Sequence, residues 1–148
     1  MSARVPNALG KTGQAARLLK AARAARKRAV CPLTGYAVGA AVLGESGRIY
    51  PGANVESRTG IIHICADRAA IFNALSHGEK HIKAIATVSA GSVPCGACRQ
   101  AILEFGSGDT PIYSLQLDGP LGRETVVSTR ISKLLPSAHT PELVERFR

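Results

Sequence analysis

Three of the four cysteines have the spacing of metal ligands. Cys95 and Cys98 form a Cys-x-x-Cys pair inside Pro94-Cys95-Gly96-Ala97-Cys98-Arg99-Gln100, and Cys65 lies upstream in His63-Ile64-Cys65-Ala66-Asp67-Arg68. Each stretch runs into an apolar pattern of helical period, which places the thiols at two helix starts. A helix start offers free N–H groups and a positive dipole end, and both favour thiolate over thiol. Three thiolates on one Zn²⁺ leave a fourth position for water, as in an open, catalytic site. Asp67 is the carboxylate placed to exchange protons with that water. Arg68, next on the helix, can hydrogen-bond the sulfurs and offset their negative charge. The chemistry these residues suit is metal-assisted hydrolysis.

Two plainer readings compete. A Cys-x-x-Cys pair can be a redox couple, although no Trp or Pro lies between these two cysteines. A closed structural zinc would recruit the fourth cysteine, Cys31. That residue precedes Pro32 in a loop and reads better as a small buried hydrophobe.

The elements that must position these residues follow from periodicity and punctuation. Ala15, Leu18, Leu19, Ala22, Ala25 and Ala29 recur at helical spacing, predicting a helix over Gln14–Ala29 capped by Thr12 and ended before Cys31-Pro32. Tyr36–Leu43 reads as a strand, Gly44–Gly47 as a turn and Arg48–Gly52 as the returning strand. A helix is expected from Cys65 to His77, stopped by Gly78, then a buried strand over Ile82–Ser89. The next helix spans Gly96–Phe105 and closes at Gly106. Pro111–Gln116 and Thr125–Ser128 are short strands, and Thr129–Leu135 is a helical turn or two before Pro136. A C-terminal segment containing Pro141–Val144 follows. Strands interleaved with helices imply an α/β fold, a three-layer α/β/α sheet. Residues 1–12 read as a flexible leader and 13–148 as one domain, long enough to bury a core without staples.

Charge is unevenly placed. Of a net +9, residues 1–44 carry eight Lys or Arg and no acid, while the rest is nearly balanced with eleven basic and ten acidic side chains. A basic arm invites a nucleic-acid or transit-peptide reading. The plainer reading is a packed helix with a solvated basic face. Aromatic residues are only 4% with no Trp, which leaves little for stacking single strands and argues against a nucleic-acid partner. No apolar run is long enough to span a membrane. Few cysteines and no convincing targeting signal point to a reducing compartment, with the cytoplasm as the expected location.

Cys65-Ala66-Asp67 followed by Pro94-Cys95-x-x-Cys98 resembles the zinc deaminase signature, His or Cys, any residue, Glu, then Pro-Cys-x-x-Cys. From about Leu18 to Val144 the chain is similar to the small cytidine deaminase family. Leu19–Cys31 resembles its first helix, Val38-Gly39-Ala40-Ala41 its first strand and Asn54-Val55-Glu56 its nucleoside-binding segment. Pro94–Gln100 is near-identical to its metal motif, and Leu134-Leu135-Pro136 matches its C-terminal turn. The resemblance implies a five-stranded mixed sheet between helices and a homotetramer (or homodimer) with sites completed by neighbouring subunits. It implies Zn²⁺ on Cys65, Cys95 and Cys98, with Tyr36, Asn54, Glu56 and Ala66 as substrate contacts. The implied reaction is deamination of cytidine or deoxycytidine: zinc-bound hydroxide attacks C4, and the acid passes a proton to the ring nitrogen and then to departing ammonia.

Departures cluster at the pocket. The family's proton carrier is glutamate, whereas Asp67 is one methylene shorter, a retraction of roughly 1.5 Å. A misplacement of ~1 Å can cost on the order of a hundredfold in rate. Gly60-Ile61-Ile62-His63-Ile64 replaces the family's Tyr-Gly-Leu-Thr-Asn, Tyr36 replaces Phe, and His139 stands where the family has an aromatic. His63 and His139 are thus candidate pocket residues. These changes leave open a modified cytosine nucleoside, a nucleoside antibiotic or another aminated heterocycle as substrate. A zinc-holding scaffold of weak activity, or a base editor guided by the basic helix, are the readings of other classes.

Overall fold

The computed structural model describes residues 13–91, 93–119 and 122–140. The leader 1–12, Thr12 within it, and Pro141–Val144 lie outside the described residues. In chain order the elements are α1 (Gln14–Arg26), β1 (Gly39–Gly44), β2 (Ile49–Ala53), α2 (Ala66–Ser76), β3 (Ile82–Ser89), α3 (Gly96–Phe105), β4 (Pro111–Gly119), β5 (Arg123–Arg130) and α4 (Ile131–Leu134). The strands form one sheet in the order β2-β1-β3-β4-β5. β1 is antiparallel to both β2 and β3, β3 is parallel to β4, and β5 returns antiparallel to β4. The expected five-stranded mixed sheet between helices is what the chain builds.

Alternation along β1 divides the core. Ala41 and Leu43 pack with Leu18 and Ala22 of α1 and with Ala84, Ala86 and Val88 of β3. Ala40 and Val42 face the other way, toward Ala66, Ala70, Ile71 and Ala74 of α2 and Ala101 and Ile102 of α3. Period-two side chains on a sheet buried on both faces require this split. Small residues at the crossings bring the helices close. A Cβ on Gly39 would meet the backbone of Ala22 and Arg26, and one on Gly52 would meet the backbone of Ala66 and Ala70. Gly52 thereby lets the start of α2 rest directly on β2.

Because β2 and β3 are both antiparallel to β1, they run in the same direction and end on the same edge of the sheet. Gly39 pairs with Ala53 on one side and Val88 on the other. The chain leaving β2 and the chain leaving β3 therefore deliver α2 and α3 from neighbouring strand ends, where open α/β sheets place their sites.

Several boundaries differ from the sequence expectation. α1 ends at Arg26, followed by tight turns in which Lys27, Arg28 and Ala29 donate to Ala24, Ala25 and Arg26, respectively. Gly13 occupies the N-cap position of that helix. β1 begins at Gly39 instead of Tyr36 because side chains take the preceding backbone groups: Arg26 Nε donates to the Ala37 carbonyl, and Asn54 bonds both Tyr36 O and Val38 N. β4 and β5 extend past the expected ends because they pair with each other as far as Gly119 and Arg123. Thr129 and Arg130 belong to β5, which leaves α4 as Ile131–Leu134.

The far end of α2 is locked to the β1–β2 turn by Glu79. This residue is 8% exposed, and its carboxylate accepts from Ser46 N at 3.1 Å, from the Ser46 hydroxyl and from Tyr50 Oη at 2.8 Å. The Ser46 hydroxyl leads these bonds in holding the carboxyl below the ordinary glutamate value. A depressed folded pKa contributes stability that is present above the unfolded glutamate value, about 4.3, and is lost as pH falls through the folded one. Glu79→Gln is therefore expected to be less stable than wild type at neutral pH, with the gap closing on acidification below that value. Urea midpoints across the acid range check this, and a gap independent of pH contradicts it.

Candidate metal centre and cleft

Cys65 and Cys95 are the N-cap residues of α2 and α3, both with extended backbone (φ −75°, ψ 150° and φ −68°, ψ 170°), and neither side chain caps its own helix. Their carbonyls accept the first intrahelical bonds, from Ala69 N at 3.0 Å and Arg99 N at 2.9 Å. The sulfurs are left to face one another. Cys65 Sγ lies 3.7 Å from Cys95 Sγ, which lies 3.4 Å from Cys98 Sγ in the first turn of α3, and all three fall within 4.8 Å of one another. These three sulfurs could hold a metal ion. The soft donor set suits zinc, and three protein ligands are the number that leaves an open position. Cys31 is not among them: its thiol contacts the Tyr36 carbonyl at 3.3 Å and Asn54 Oδ1 at 3.5 Å, and it is half-buried against polar atoms.

The electrostatics are those of a site short of positive charge. The hydrogen bond from Cys98 pulls the Cys65 thiol down to about 5, with further help from Arg68. Cys98 is pushed upward by the same bond and by burial, so the two thiols compete for one proton. A dication would remove that competition. Arg68 Nη2 donates to Cys65 Sγ at 3.5 Å, and this contact reinforces the guanidinium's charge. Its Nε is buried without a hydrogen-bond partner.

Asp67 is 5% exposed, and its Oδ1 has no hydrogen-bond partner. Burial pushes the carboxyl up to about 6, opposed by its own backbone N–H. A buried carboxylate oxygen without a partner is costly, and each such group calls for an explanation. A polar ligand arriving there supplies one.

A cleft of about 240 Å³ opens above these groups, lined by Tyr36, Val38, Asn54, Cys65, Ala66, Asp67, Val93 and Cys95. Of the proposed substrate contacts, Tyr36, Asn54 and Ala66 line it. Glu56 is not among the lining residues; its carboxylate accepts from Leu33 N at 2.8 Å, Thr34 N at 3.1 Å and the Thr34 hydroxyl. That hydroxyl leads these bonds in lowering the acid's pKa. His63 is exposed outside the lining, with Nδ1 accepting from Ser57 N at 2.8 Å. His139 is also exposed outside it, its carbonyl accepting from Gln100 Nε2 at 3.0 Å.

Residues 12–114 match the model of the cytidine and deoxycytidylate deaminase zinc-binding region. The chain belongs to this family. It is 42% identical over 129 residues to the cytidine deaminase of Sporosarcina psychrophila, covering 85% of this chain and 91% of that protein. Its fold is similar to the crystal structure of cytidine deaminase from Burkholderia pseudomallei, with a TM-score of 0.76, 35% identity, and coverage of 84% of this chain and 98% of that one. A mutant cytidine deaminase from Mycobacterium tuberculosis in which a glutamate is replaced by aspartate is also similar, with a TM-score of 0.69, 33% identity, and coverage of 84% and 93%. The sheet and helices described above are thus the deaminase fold.

Spacing in the sequence did not reveal Arg99. It turns back from α3 so that Nε donates to the Pro94 carbonyl at 2.8 Å and Nη1 to the Leu134 carbonyl at 2.9 Å. Its place directly after Cys98 was the available signal.

Metal analysis of purified protein should find one zinc per chain, and Cys98→Ala should find close to none. A wild-type protein that carries no zinc contradicts the ligand set.

Proposed function

We propose that the chain is a zinc-dependent aminohydrolase that converts cytidine, deoxycytidine or a closely related cytosine nucleoside to its uracil counterpart with release of ammonia. The observation that carries this is the cluster of three sulfurs, two of which line the same cleft as a buried carboxylate with one unpartnered oxygen. Zinc on Cys65, Cys95 and Cys98 supplies a Lewis acid that makes water nucleophilic at neutral pH. The chain's own residues then orient the ring and move protons. Asp67 takes a proton from the attacking water and gives it to the ring nitrogen, then to the leaving amine as the C4–N bond breaks. Arg68 tempers the negative charge of the sulfurs. Ala66, Tyr36 and Asn54 form the walls against which the base and sugar rest. Glu56, exchanging its Thr34 bond, completes recognition of the sugar hydroxyls with Asn54. A paired amide and carboxylate reject ligands that lack a hydroxyl, because their own polar groups would be left unpaired.

This reading extends to the assembly. The protein works as a homotetramer (or homodimer) in the cytoplasm, in pyrimidine salvage, built from one domain over 13–148 with 1–12 as a leader. Val30, Leu33, Val55, Ile61 and Ile62, between 40% and 85% exposed, are the apolar residues that a neighbouring copy would cover. His63 and His139, outside the cleft wall of one chain, are assigned to the rim formed with such a copy. No helix among the described residues is long and apolar enough to cross a membrane.

A second reading is favoured by the unpartnered Oδ1 of Asp67: the substrate is a cytosine nucleoside carrying a substituent on the amine, which fills the space left by the shorter acid. Cytidine turned over as readily as any substituted analogue contradicts that second reading.

Asp67 decides the main one. Asp67→Ala is expected to lower kcat on the order of 10²–10⁴-fold, the usual share of a general acid–base group, with zinc content unchanged. Asp67→Glu is expected to remain active. Ammonia release and metal content measured on the same samples check this. An Asp67→Ala protein as active as wild type contradicts the role, and a zinc-replete wild type that releases no ammonia from any cytosine nucleoside supports a scaffold instead.

A further inference from the structure

We infer that Arg99 is a positioning residue for the metal loop, tying the segment that carries Cys95 to the C-terminal turn and so governing how firmly the three sulfurs retain zinc. The inference rests on the zinc reading of those sulfurs. Arg99 occupies the first turn after Cys98, and its side chain folds back across the start of its own helix. Nε reaches the Pro94 carbonyl at 2.8 Å, one residue before Cys95. Nη1 reaches the carbonyl of Leu134, the last residue of α4, at 2.9 Å. Leu134 lies at the end of α4, where backbone carbonyls have no intrahelical partner, and Pro94 precedes the N-cap of α3, outside the helix.

A planar guanidinium with donors in fixed directions can hold two carbonyls at a set separation, which the flexible ammonium of lysine cannot reproduce. Arg99 forms no salt bridge among the described residues, so these two carbonyls are the hydrogen-bond partners its side chain is seen to use. The angle at which the chain enters α3 sets where Cys95 Sγ lies relative to Cys98 Sγ, now 3.4 Å away. Fixing Pro94 fixes that entry. The side chain of Gln100, the next residue, instead bonds the His139 carbonyl at 3.0 Å, in the C-terminal segment. It therefore serves as a control for loosening of the C-terminal segment alone.

The test is zinc release from holoprotein to a chromogenic chelator, run beside the absorption spectrum of the cobalt-substituted protein. Partners that orient metal ligands typically contribute 10–100-fold in metal affinity. Arg99→Met is expected to release zinc at least about tenfold faster and to alter the sulfur-to-cobalt charge-transfer band. Arg99→Lys, which keeps the charge and can hold one carbonyl, should fall between and remains informative if Arg99→Met does not fold. Gln100→Ala should match wild type. Release from Arg99→Met or Arg99→Lys within twofold of wild type overturns the inference, as does equally fast release from Gln100→Ala. A wild type that holds no zinc overturns the zinc reading itself.

Discussion

Two helix starts aimed at one point are the constraint on which the rest of the structure depends. Each helix begins on a cysteine whose extended backbone frees the sulfur from capping, and each presents N–H groups and a positive dipole end to the same few ångströms. That environment favours thiolate over thiol. Like charges crowded together need a cation, and Arg68 supplies part of that need. Zinc is the dication that family membership and donor chemistry assign to the remainder.

The sheet makes that meeting possible. Were β1 parallel to either neighbour, the ends of β2 and β3 would lie on opposite edges and Cys65 could not approach Cys95. The antiparallel hairpin, followed by the antiparallel β1–β3 pair, brings both ends to one edge. Gly52 then removes the side chain that would lift α2 off β2. Asn54, at the same edge, fixes the 36–38 segment and the cleft wall together with one amide group. Local backbone order and site geometry thus share residues, and substitutions that disturb one disturb the other.

Much of this was legible in the sequence. β3 and α3 have the predicted bounds because each is a compact apolar pattern closed by glycine or polar residues. The Cys95–Cys98 pair followed from spacing, since a short-range motif carries its own geometry, whereas its meeting with Cys65 depends on the sheet. What escaped was set by distant partners. β1 starts late because Asn54 and Arg26 claim its leading backbone groups, and nothing near Tyr36 announces either residue. Arg99 reads as one more charged helix residue until its fold-back onto Pro94 is seen. His63 and His139 were candidates because they stand where the chain departs from the family pattern, and a histidine's direction depends on loops whose paths no periodicity dictates. Asp67 was identified by position, yet its orphaned oxygen became visible only once burial was known.

The central claim is that three sulfurs and no fourth protein atom hold the metal. X-ray absorption at the zinc edge of the purified protein tests it most directly. The account predicts three sulfur scatterers at about 2.3 Å and one oxygen or nitrogen near 2.0 Å, that light scatterer being exchangeable with a small added ligand. Four sulfurs, or a light atom that no added ligand displaces, would contradict it.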